Sequence, residues 1–238
     1  MTPLGNDIVD LTAPGNPGKI GDRRFLDRVF TAEEQGWIAR APLPDAALWA
    51  LWAAKEAAYK AVSRNHPSIC STPRRYRVYP EKGIAAGTDF HCGGRAITPD
   101  GELALRLTLG EDRVHATAGF EEVLDRICMR IEEWDGAGDP SMFIRQCLIR
   151  EIARRTGCAT DLLSVAKDSE GPGAPWVMFR NRPLALEISL SHDGRFAAFV
   201  FDPAALPSSS GDFPRPAQDA SLRGGLGNLE GFPTADVR

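Results

Sequence analysis

The chain has 238 residues, and its 28 basic and 32 acidic side chains leave a formal net charge of −4. This mildly acidic balance disfavours a nucleic-acid-binding protein, because contacts with many phosphates require a basic surplus. No stretch approaches the roughly 20 apolar residues of a membrane helix, and the N-terminus lacks the pattern of a signal peptide. The five cysteines form no CxxC pair, as is typical of reduced thiols. We therefore expect a cytoplasmic globular protein with no nucleic-acid or membrane partner.

The first half of the sequence predicts a buried strand followed by two helices. Asp7 lies in a short apolar stretch, where a carboxylate needs a partner. Thr31 and Glu34 have the spacing of a capping box, which predicts that a helix begins there. Asp45 is placed to cap a second helix, which is rich in alanine and leucine and extends to Lys60. The composition of this second helix indicates that it is buried.

Glu56 and Lys60 lie one turn apart on the alanine-rich helix and therefore share a face. One interpretation is an exposed ion pair worth about 0.2–0.5 kcal/mol. The neighbouring positions are mostly alanine or aromatic, which favours a buried face instead. Folding that brought Asp7 to Glu56 would create a pair of hard oxygen ligands for Mg²⁺, and a lysine beside them could hold a phosphate.

The remaining pattern predicts strands in both halves and a helix in the second. Alternating residues indicate antiparallel strands over 76–79, 103–109 and 114–120. The second half contains a helical stretch at 143–156 and an apolar strand region at 186–201, which is broken at Ser191, His192, Asp193 and Gly194. Both halves end on a similar strand. We therefore expect an α+β fold of two similar lobes, each an antiparallel sheet with packed helices, arranged as a pseudo-dimer.

Composition and spacing divide the chain into three regions. The polar stretch 132–140 separates the two halves, and we assign one lobe to residues 1–125 and a second to residues 126–202. Residues 203–238 are rich in serine, proline and glycine, and we expect this tail to be largely disordered.

The Ser191-His192-Asp193 run has two open interpretations. Three adjacent residues cannot adopt the geometry of a hydrolase triad. Ser191 and His192 could instead offer hydrogen-bond donors to an anion, or the run could be a turn capped by Asp193 and Gly194.

Three ordered motifs resemble those of the 4′-phosphopantetheinyl transferase superfamily. Over residues 5–61 the likeness is closest to the short holo-acyl-carrier-protein synthases, and it rests on Gly5-Asn6-Asp7-Ile8, Arg24 to Thr31 with Glu34, and Lys55-Glu56-Ala57-Ala58-Tyr59-Lys60. The second half resembles the Ser-His lobe of the larger transferases of surfactin-synthetase type, with Arg150, Pro175 and Ser191-His192-Asp193 in the same order. In those enzymes the Ser-His lobe comes first, so the lobe order here is permuted.

The resemblance implies transfer of 4′-phosphopantetheine from coenzyme A to a serine of an apo acyl or peptidyl carrier protein, with release of adenosine 3′,5′-bisphosphate. It makes residues 1–125 the metal-binding lobe and 126–202 the coenzyme A-binding lobe. Asp7 and Glu56 would bind Mg²⁺, Glu56 would also take the serine proton, and Lys60 would stabilise the transferring phosphate. Residues implied in coenzyme A binding are Lys55, Lys60, Ser191, His192 and, more weakly, Arg150. The active form would be a pseudo-dimeric monomer.

Two positions depart from the pattern of the larger enzymes. Val9 replaces their second acid, which leaves the third metal ligand to water or, less favourably, to Asp10. Ala174 replaces a phosphate-binding lysine, whose contact is then missing or supplied by Arg74 or Arg75.

The role of the first helix and the activity itself have alternatives. Arg23, Arg24 and Arg28 form either a docking patch for an acidic carrier protein or a solvated helix face. The alternative to a transferase is a non-catalytic module of the same fold that binds coenzyme A or a carrier protein. The joint retention of four residues speaks against that alternative, namely Asp7, Glu56, Lys60 and His192.

Overall fold

The computed structural model describes residues 2–66, 68–82, 90–167 and 174–207. The expectation of a disordered tail falls mainly on residues 208–238, which lie outside the described residues. At the start of that tail, Pro203–Ala205 form a short 3₁₀ turn.

Five antiparallel strands form the larger sheet, in the spatial order β1-β5-β4-β3-β2. The strands are β1 (Leu4–Asp10), β2 (Arg77–Pro80), β3 (Phe90–Thr98), β4 (Gly101–Leu109) and β5 (Arg113–Gly119). Strands β2, β4 and β5 confirm the prediction from alternating residues. Strand β3 lies outside the three strand ranges predicted for this half, although His91 falls in a strand-like stretch, and Gly93 and Gly94 in its middle weaken the intrinsic strand signal.

Three helices precede β2 along the chain, namely α1 (Arg23–Val29), α2 (Ala32–Arg40) and α3 (Pro44–Ser63). The capping box of Thr31 and Glu34 is confirmed at the start of α2. The predicted cap of α3 is wrong, because the carboxylate of Asp45 accepts hydrogen bonds from the backbone N–H groups of Gly18 at 2.8 Å and Ile20 at 2.9 Å. Asp45 therefore fastens the preceding loop to α3.

Helix α3 packs against the larger sheet and supplies much of the N-terminal core. Leu48, Leu51 and Ala54 are fully buried, which confirms the expectation of a buried alanine-rich helix. The backbone of β1 approaches α3 so closely at Gly5 that an added Cβ would overlap the carbonyl oxygen of Ala57. Only glycine permits this approach, which brings the strand with Asp7 against the helix with Glu56.

The C-terminal half has a core of its own, built on two three-stranded antiparallel sheets. Their spatial orders are β10-β11-β6 and β7-β8-β9. The elements after β5 are α4 (Glu121–Leu124), β6 (Cys128–Glu133), α5 (Pro140–Thr156), β7 (Leu163–Ala166), β8 (Trp176–Phe179), β9 (Arg182–Pro183), β10 (Ile188–Asp193) and β11 (Phe196–Phe201). The predicted helix is confirmed, and the strand region is broken as predicted, but the break falls at Gly194 and Arg195, so the run from Ser191 to Asp193 is strand and not turn. The fold is α+β with antiparallel sheets and packed helices.

The two halves meet along β1, whose residues alternate between two faces. Val9 belongs to the core beneath α3, whereas Ile8 packs against Phe196 and Ala198 of the C-terminal half. Asp7 therefore faces α3 on a strand whose other side contacts β10 and β11. In the described part of the chain, no helix combines the length and apolar character needed to cross a membrane.

Candidate active site

Lys60 joins α3 to β1 through Asp7. The Lys60 Nζ donates a hydrogen bond of 2.7 Å to Asp7 Oδ1 and another of 3.1 Å to the carbonyl oxygen of Asn6. An ammonium group has three protons, so these two contacts leave one for a further acceptor. The side chain of Lys60 is 31% exposed.

Glu56 lies one helical turn before Lys60 and shares its electrostatic environment with Asp7. Burial raises the pKa of Glu56, the negative charge of Asp7 raises it further, and Lys60 acts in the opposite direction. Burial also raises the pKa of Asp7, against the opposing effect of Lys60. Two carboxylates thus face the same poorly hydrated space with a single ammonium beside them, and both favour protonation more than free side chains do.

The C-terminal half brings His192 to this group. His192 is exposed near the end of β10, and its charge lowers the pKa of Asp7 while that of Asp193 raises it, so both side chains lie within electrostatic reach of the carboxylate. The fold therefore brings Asp7, Glu56 and Lys60 together within the N-terminal half, and His192 of the other half acts on Asp7 only through its charge, since the described residues show no hydrogen bond or ion pair between the two.

Ser191 is placed differently from its neighbour. It is 5% exposed, and its Oγ accepts a hydrogen bond of 2.9 Å from Asn6 Nδ2. Successive residues of a strand point to opposite faces, so Ser191 points into the contact between the halves and His192 points away from it. The Ser191 side chain thus contacts β1, and it lies on the opposite face of β10 from the exposed side chain of His192.

Lys55 does not reach the group around Asp7. Its Nζ is fully buried, lies 2.7 Å from Glu34 Oε1, and donates to the carbonyl oxygens of Pro73 and Tyr76. Glu34 also accepts the backbone N–H groups of Thr31 and Val78. Lys55 therefore ties together the starts of α2 and β2, and its ammonium is covered by protein where the resemblance implied contact with coenzyme A.

Arg150 is exposed on α5, and its guanidinium contacts Cys147 Sγ at 3.1 Å. Helix α5 packs against β10, and Leu190, which shares a strand face with His192, belongs to the core beneath that helix. Arg150 and His192 are therefore on the same side of the β10-β11-β6 sheet, although the structure records no contact between them.

Asp10 is unsuited to be a third metal ligand, because Arg195 occupies both of its carboxylate oxygens at 2.9 and 3.2 Å. The alternative arginines for the missing lysine lie on the 3₁₀ turn Pro73–Arg75, where Arg74 donates to the carbonyl oxygen of Asp27. Arg23, Arg24 and Arg28 are exposed on α1.

Arg64 connects α3 to the C-terminal half, and the sequence did not predict this connection. Its guanidinium donates to the carbonyl oxygens of Pro175 at 2.8 Å and Ile188 at 2.6 Å, and its Nε lies 3.0 Å from Glu187 Oε2 without hydrogen-bond alignment. This arginine therefore binds the C-terminal end of α3 to the C-terminal half. Pro175 consequently lies near the end of the helix that bears Lys60.

Comparison with known families identifies the part of the chain that carries most of this site. Residues 3–105 match the model of the 4′-phosphopantetheinyl transferase superfamily. This segment is a domain of that superfamily. It includes Asp7, Glu56 and Lys60, and it ends before the C-terminal half. No curated protein matches the chain.

The transferase domain offers two carboxylates for the Mg²⁺ that its superfamily implies. Among the described residues, no three histidine, cysteine, aspartate or glutamate side chains form a group that could hold a metal ion. Asp7 and Glu56 nevertheless fit Mg²⁺, which proteins commonly hold through one or two carboxylates with water and substrate phosphates as the other ligands. Their raised pKa values agree with such a site, because a divalent cation would offset the repulsion between them.

Proposed function

We propose that this protein transfers 4′-phosphopantetheine from coenzyme A to a serine of an apo acyl or peptidyl carrier protein and releases adenosine 3′,5′-bisphosphate. The observation that carries the proposal is the assembly of Asp7, Glu56 and Lys60 inside a segment that matches the superfamily. The two carboxylates and one ammonium are suited to a pyrophosphate and to the proton of an attacking hydroxyl.

Glu56 is the proposed general base. The serine oxygen attacks the phosphorus that bears pantetheine, and a new O–P bond forms as the bond to the bridging pyrophosphate oxygen breaks. The serine proton passes to Glu56, directly or through a water molecule, and adenosine 3′,5′-bisphosphate leaves. Burial and the charge of Asp7 raise the pKa of Glu56, which makes its carboxylate a stronger base.

Lys60 and Asp7 are proposed to hold the pyrophosphate. The third proton of the Lys60 ammonium is available to a phosphoryl oxygen, while the contacts with Asp7 and the Asn6 carbonyl fix its position. Asp7 and Glu56 would hold Mg²⁺, which when bound would neutralise charge on the pyrophosphate oxygens.

The C-terminal half is proposed to bind the nucleotide part of coenzyme A. The charge of His192 acts on Asp7, and Arg150 lies on the same side of the β10-β11-β6 sheet as His192. We further propose that the two halves are similar lobes in permuted order, and that the monomer acts as a pseudo-dimer. Lys55 is left out of this proposal, because its ammonium is buried against Glu34.

The carrier protein is proposed to dock beside α1. Arg23, Arg24 and Arg28 are exposed there, and an acidic carrier would be attracted to them despite the net charge of −4. Charge reversal of Arg24 and Arg28 should raise KM for the carrier and leave KM for coenzyme A unchanged. A change in KM for coenzyme A alone would place the docking surface elsewhere.

Intact-protein mass spectrometry tests the activity directly. Purified protein, Mg²⁺, coenzyme A and a panel of apo carriers from fatty-acid, polyketide and peptide synthesis should yield at least one carrier heavier by one phosphopantetheinyl group. If no carrier is modified while coenzyme A still binds in calorimetry, the protein is a binding module and the transferase proposal is wrong.

A further inference from the structure

Strand β1 presents two polar residues, Asn6 and Asp10, to the C-terminal half. Both are buried, with exposures of 0% and 1%, on the face opposite Asp7. Their contacts fall on the residues that flank His192. Asn6 Nδ2 donates to Ser191 Oγ at 2.9 Å, and the backbone N–H of Asp10 donates to Asp193 Oδ2 at 2.9 Å.

The carboxylate of Asp10 is enclosed by the turn between β10 and β11. Its Oδ2 accepts the backbone N–H of Arg195 at 3.0 Å and the Nε of the same residue at 2.9 Å, and its Oδ1 accepts Arg195 NH2 at 3.2 Å. Arg195 therefore binds Asp10 through both backbone and side chain. A charge-assisted, bidentate contact of this kind fixes orientation as well as distance.

Gly194 allows the turn to close on that carboxylate. It has a φ of +52°, and a Cβ added there would lie 2.5 Å from Asp10 Oδ2. A side chain at this position would therefore meet both an unfavourable backbone conformation and the buried carboxylate. The turn is shaped around Asp10.

Asn16 adds a second connection on the outer side. Its Nδ2 donates to Asp193 Oδ2 at 3.1 Å and to the carbonyl oxygen of Asp10 at 2.7 Å. The loop after β1 thus also holds the residue that follows His192. We use the term turn clamp for the contacts among Asp10, Asn16, Asp193 and Arg195.

Side chains must set the register here, because β1 and β10 belong to different sheets. In the described ranges, β1 is an edge strand of the five-stranded sheet and β10 is an edge strand of the three-stranded sheet. A backbone ladder would fix register by itself, but in this fold the position of β10 along β1 depends on Asn6 and the turn clamp.

We propose that Asp10 and Arg195 are positioning residues that hold the end of β10, and with it His192, in place against β1. This inference rests on the proposed function, since His192 is there assigned to coenzyme A. Neither residue is assigned a contact with the substrate. The clamp acts by fixing the turn that follows His192, so its loss should weaken coenzyme A binding more than it slows the chemical step.

Arg195→Met removes the guanidinium and keeps an apolar stem, and Arg113→Met is its matched control. Both arginines lie over the Phe196 ring, at 4.9 and 5.1 Å, and both contact Asp112. Of these two side chains, that of Arg195 binds the Asp10 carboxylate, whereas Arg113 meets Asp10 through the β1–β5 strand pairing. Arg195→Lys should restore part of the effect. Asn16→Ala provides a milder break of the clamp if Arg195→Met fails to fold.

Hydrogen exchange measures the clamp without reference to any reaction. Amides in peptides covering residues 189–196 should exchange about tenfold faster in Arg195→Met, since a hydrogen bond to a charged group contributes roughly that factor, and should not change in Arg113→Met. Equal exchange in the two variants would show that no such clamp exists.

Kinetics then measures the positioning role. KM for coenzyme A should rise about tenfold in Arg195→Met with a smaller change in kcat, while Arg113→Met should match the wild type. Faster exchange with an unchanged KM would overturn the role while leaving the transferase proposal intact. If the wild type neither transfers phosphopantetheine nor binds coenzyme A, the proposed function fails, and the exchange comparison alone decides whether the clamp exists.

Discussion

Lys60 and Asp7 lie 53 residues apart in sequence, yet the lysine Nζ is 2.7 Å from the aspartate Oδ1. This ion pair fixes the distance between α3 and β1 at the point where Glu56 lies. Among the residues that the structure describes, the ammonium that opposes the charge of Glu56 is that of Lys60, which is bound to Asp7. The site is therefore short of positive charge before any ligand binds.

Glu56→Gln should increase thermal stability in the absence of Mg²⁺. The folded state raises the pKa of Glu56, so the ionised carboxylate destabilises the fold once the pH exceeds the ordinary glutamate pKa of about 4.5. An amide carries no such charge. For a chain of this size, each ~1 kcal/mol corresponds to about 2–4 °C in Tm.

Calorimetry at pH 7.5 and pH 4 tests this sign. The gain in Tm should be present at pH 7.5 and should shrink at pH 4, where the Glu56 carboxyl of the wild type is mostly protonated in both the folded and the unfolded state. Glu111→Gln, at an exposed turn position, is the control and should change Tm little at either pH. A Tm below that of the wild type at pH 7.5 would mean that the Glu56 carboxylate is stabilised by groups other than those described.

Mg²⁺ should stabilise the wild type and not the Asp7→Asn variant. A ligand that binds only the folded state at 100 times its Kd adds about 2.7 kcal/mol. The Tm of the wild type should therefore rise with Mg²⁺ concentration, and Asp7→Asn should show a flat response. Equal shifts in both proteins would place the metal away from Asp7.

Lys55→Met should destabilise the protein strongly. The change leaves the buried carboxylate of Glu34 without its ammonium partner, which typically costs about 3–5 kcal/mol. The double variant Glu34→Gln with Lys55→Met should recover much of that loss, because no charge is then buried alone. Urea denaturation measures both effects. A stable Lys55→Met protein with a raised KM for coenzyme A would instead restore Lys55 to the binding site.

The stability of the fold should fall in mild acid because of His115. Burial lowers the pKa of His115 to about 3, and its ordinary value is 6.5. A group whose folded pKa is lowered contributes stability that is complete above its unfolded pKa and is lost as the pH falls toward the folded pKa. Between pH 7.5 and pH 5 this amounts to ~2 kcal/mol, from about 1.36 kcal/mol per pH unit below 6.5.

Urea midpoints at these two pH values isolate the contribution of His115. His115→Gln should show a smaller drop than the wild type, and His91→Gln, at an exposed position on β3, should show the same drop as the wild type. An unchanged drop in His115→Gln would mean that other groups dominate acid sensitivity.

The residues that sequence reasoning located well are those linked by local geometry. Glu56 and Lys60 share a helix face at a spacing of four, and the capping box of Thr31 and Glu34 is equally local. The pairing of Asp7 with this face was a hypothesis from chemistry alone. It depended on the close contact at Gly5, which packing of β1 on α3 creates.

The residues that it misplaced are those decided by tertiary packing. Lys55 adjoins Glu56 in sequence, but adjacent residues of a helix point about 100° apart. The ammonium of Lys55 is therefore directed to another helix, where it forms a buried ion pair with Glu34. Ser191 and His192 were treated as a pair, although neighbours on a strand face opposite sides. A turn at Asp193 and Gly194 is one of the interpretations that the sequence allows, but no sequence pattern indicates that Arg195 in this turn binds Asp10.

Intact-mass measurement of an apo carrier incubated with Mg²⁺, coenzyme A and either the wild type or Glu56→Gln tests the central claim most directly. The wild type should add one phosphopantetheinyl group, and Glu56→Gln should do so at least about 100-fold more slowly while remaining folded, since a general base contributes roughly 10²–10⁴ in rate. Equal rates for the two proteins, or no modification of any carrier by the wild type, would contradict the account.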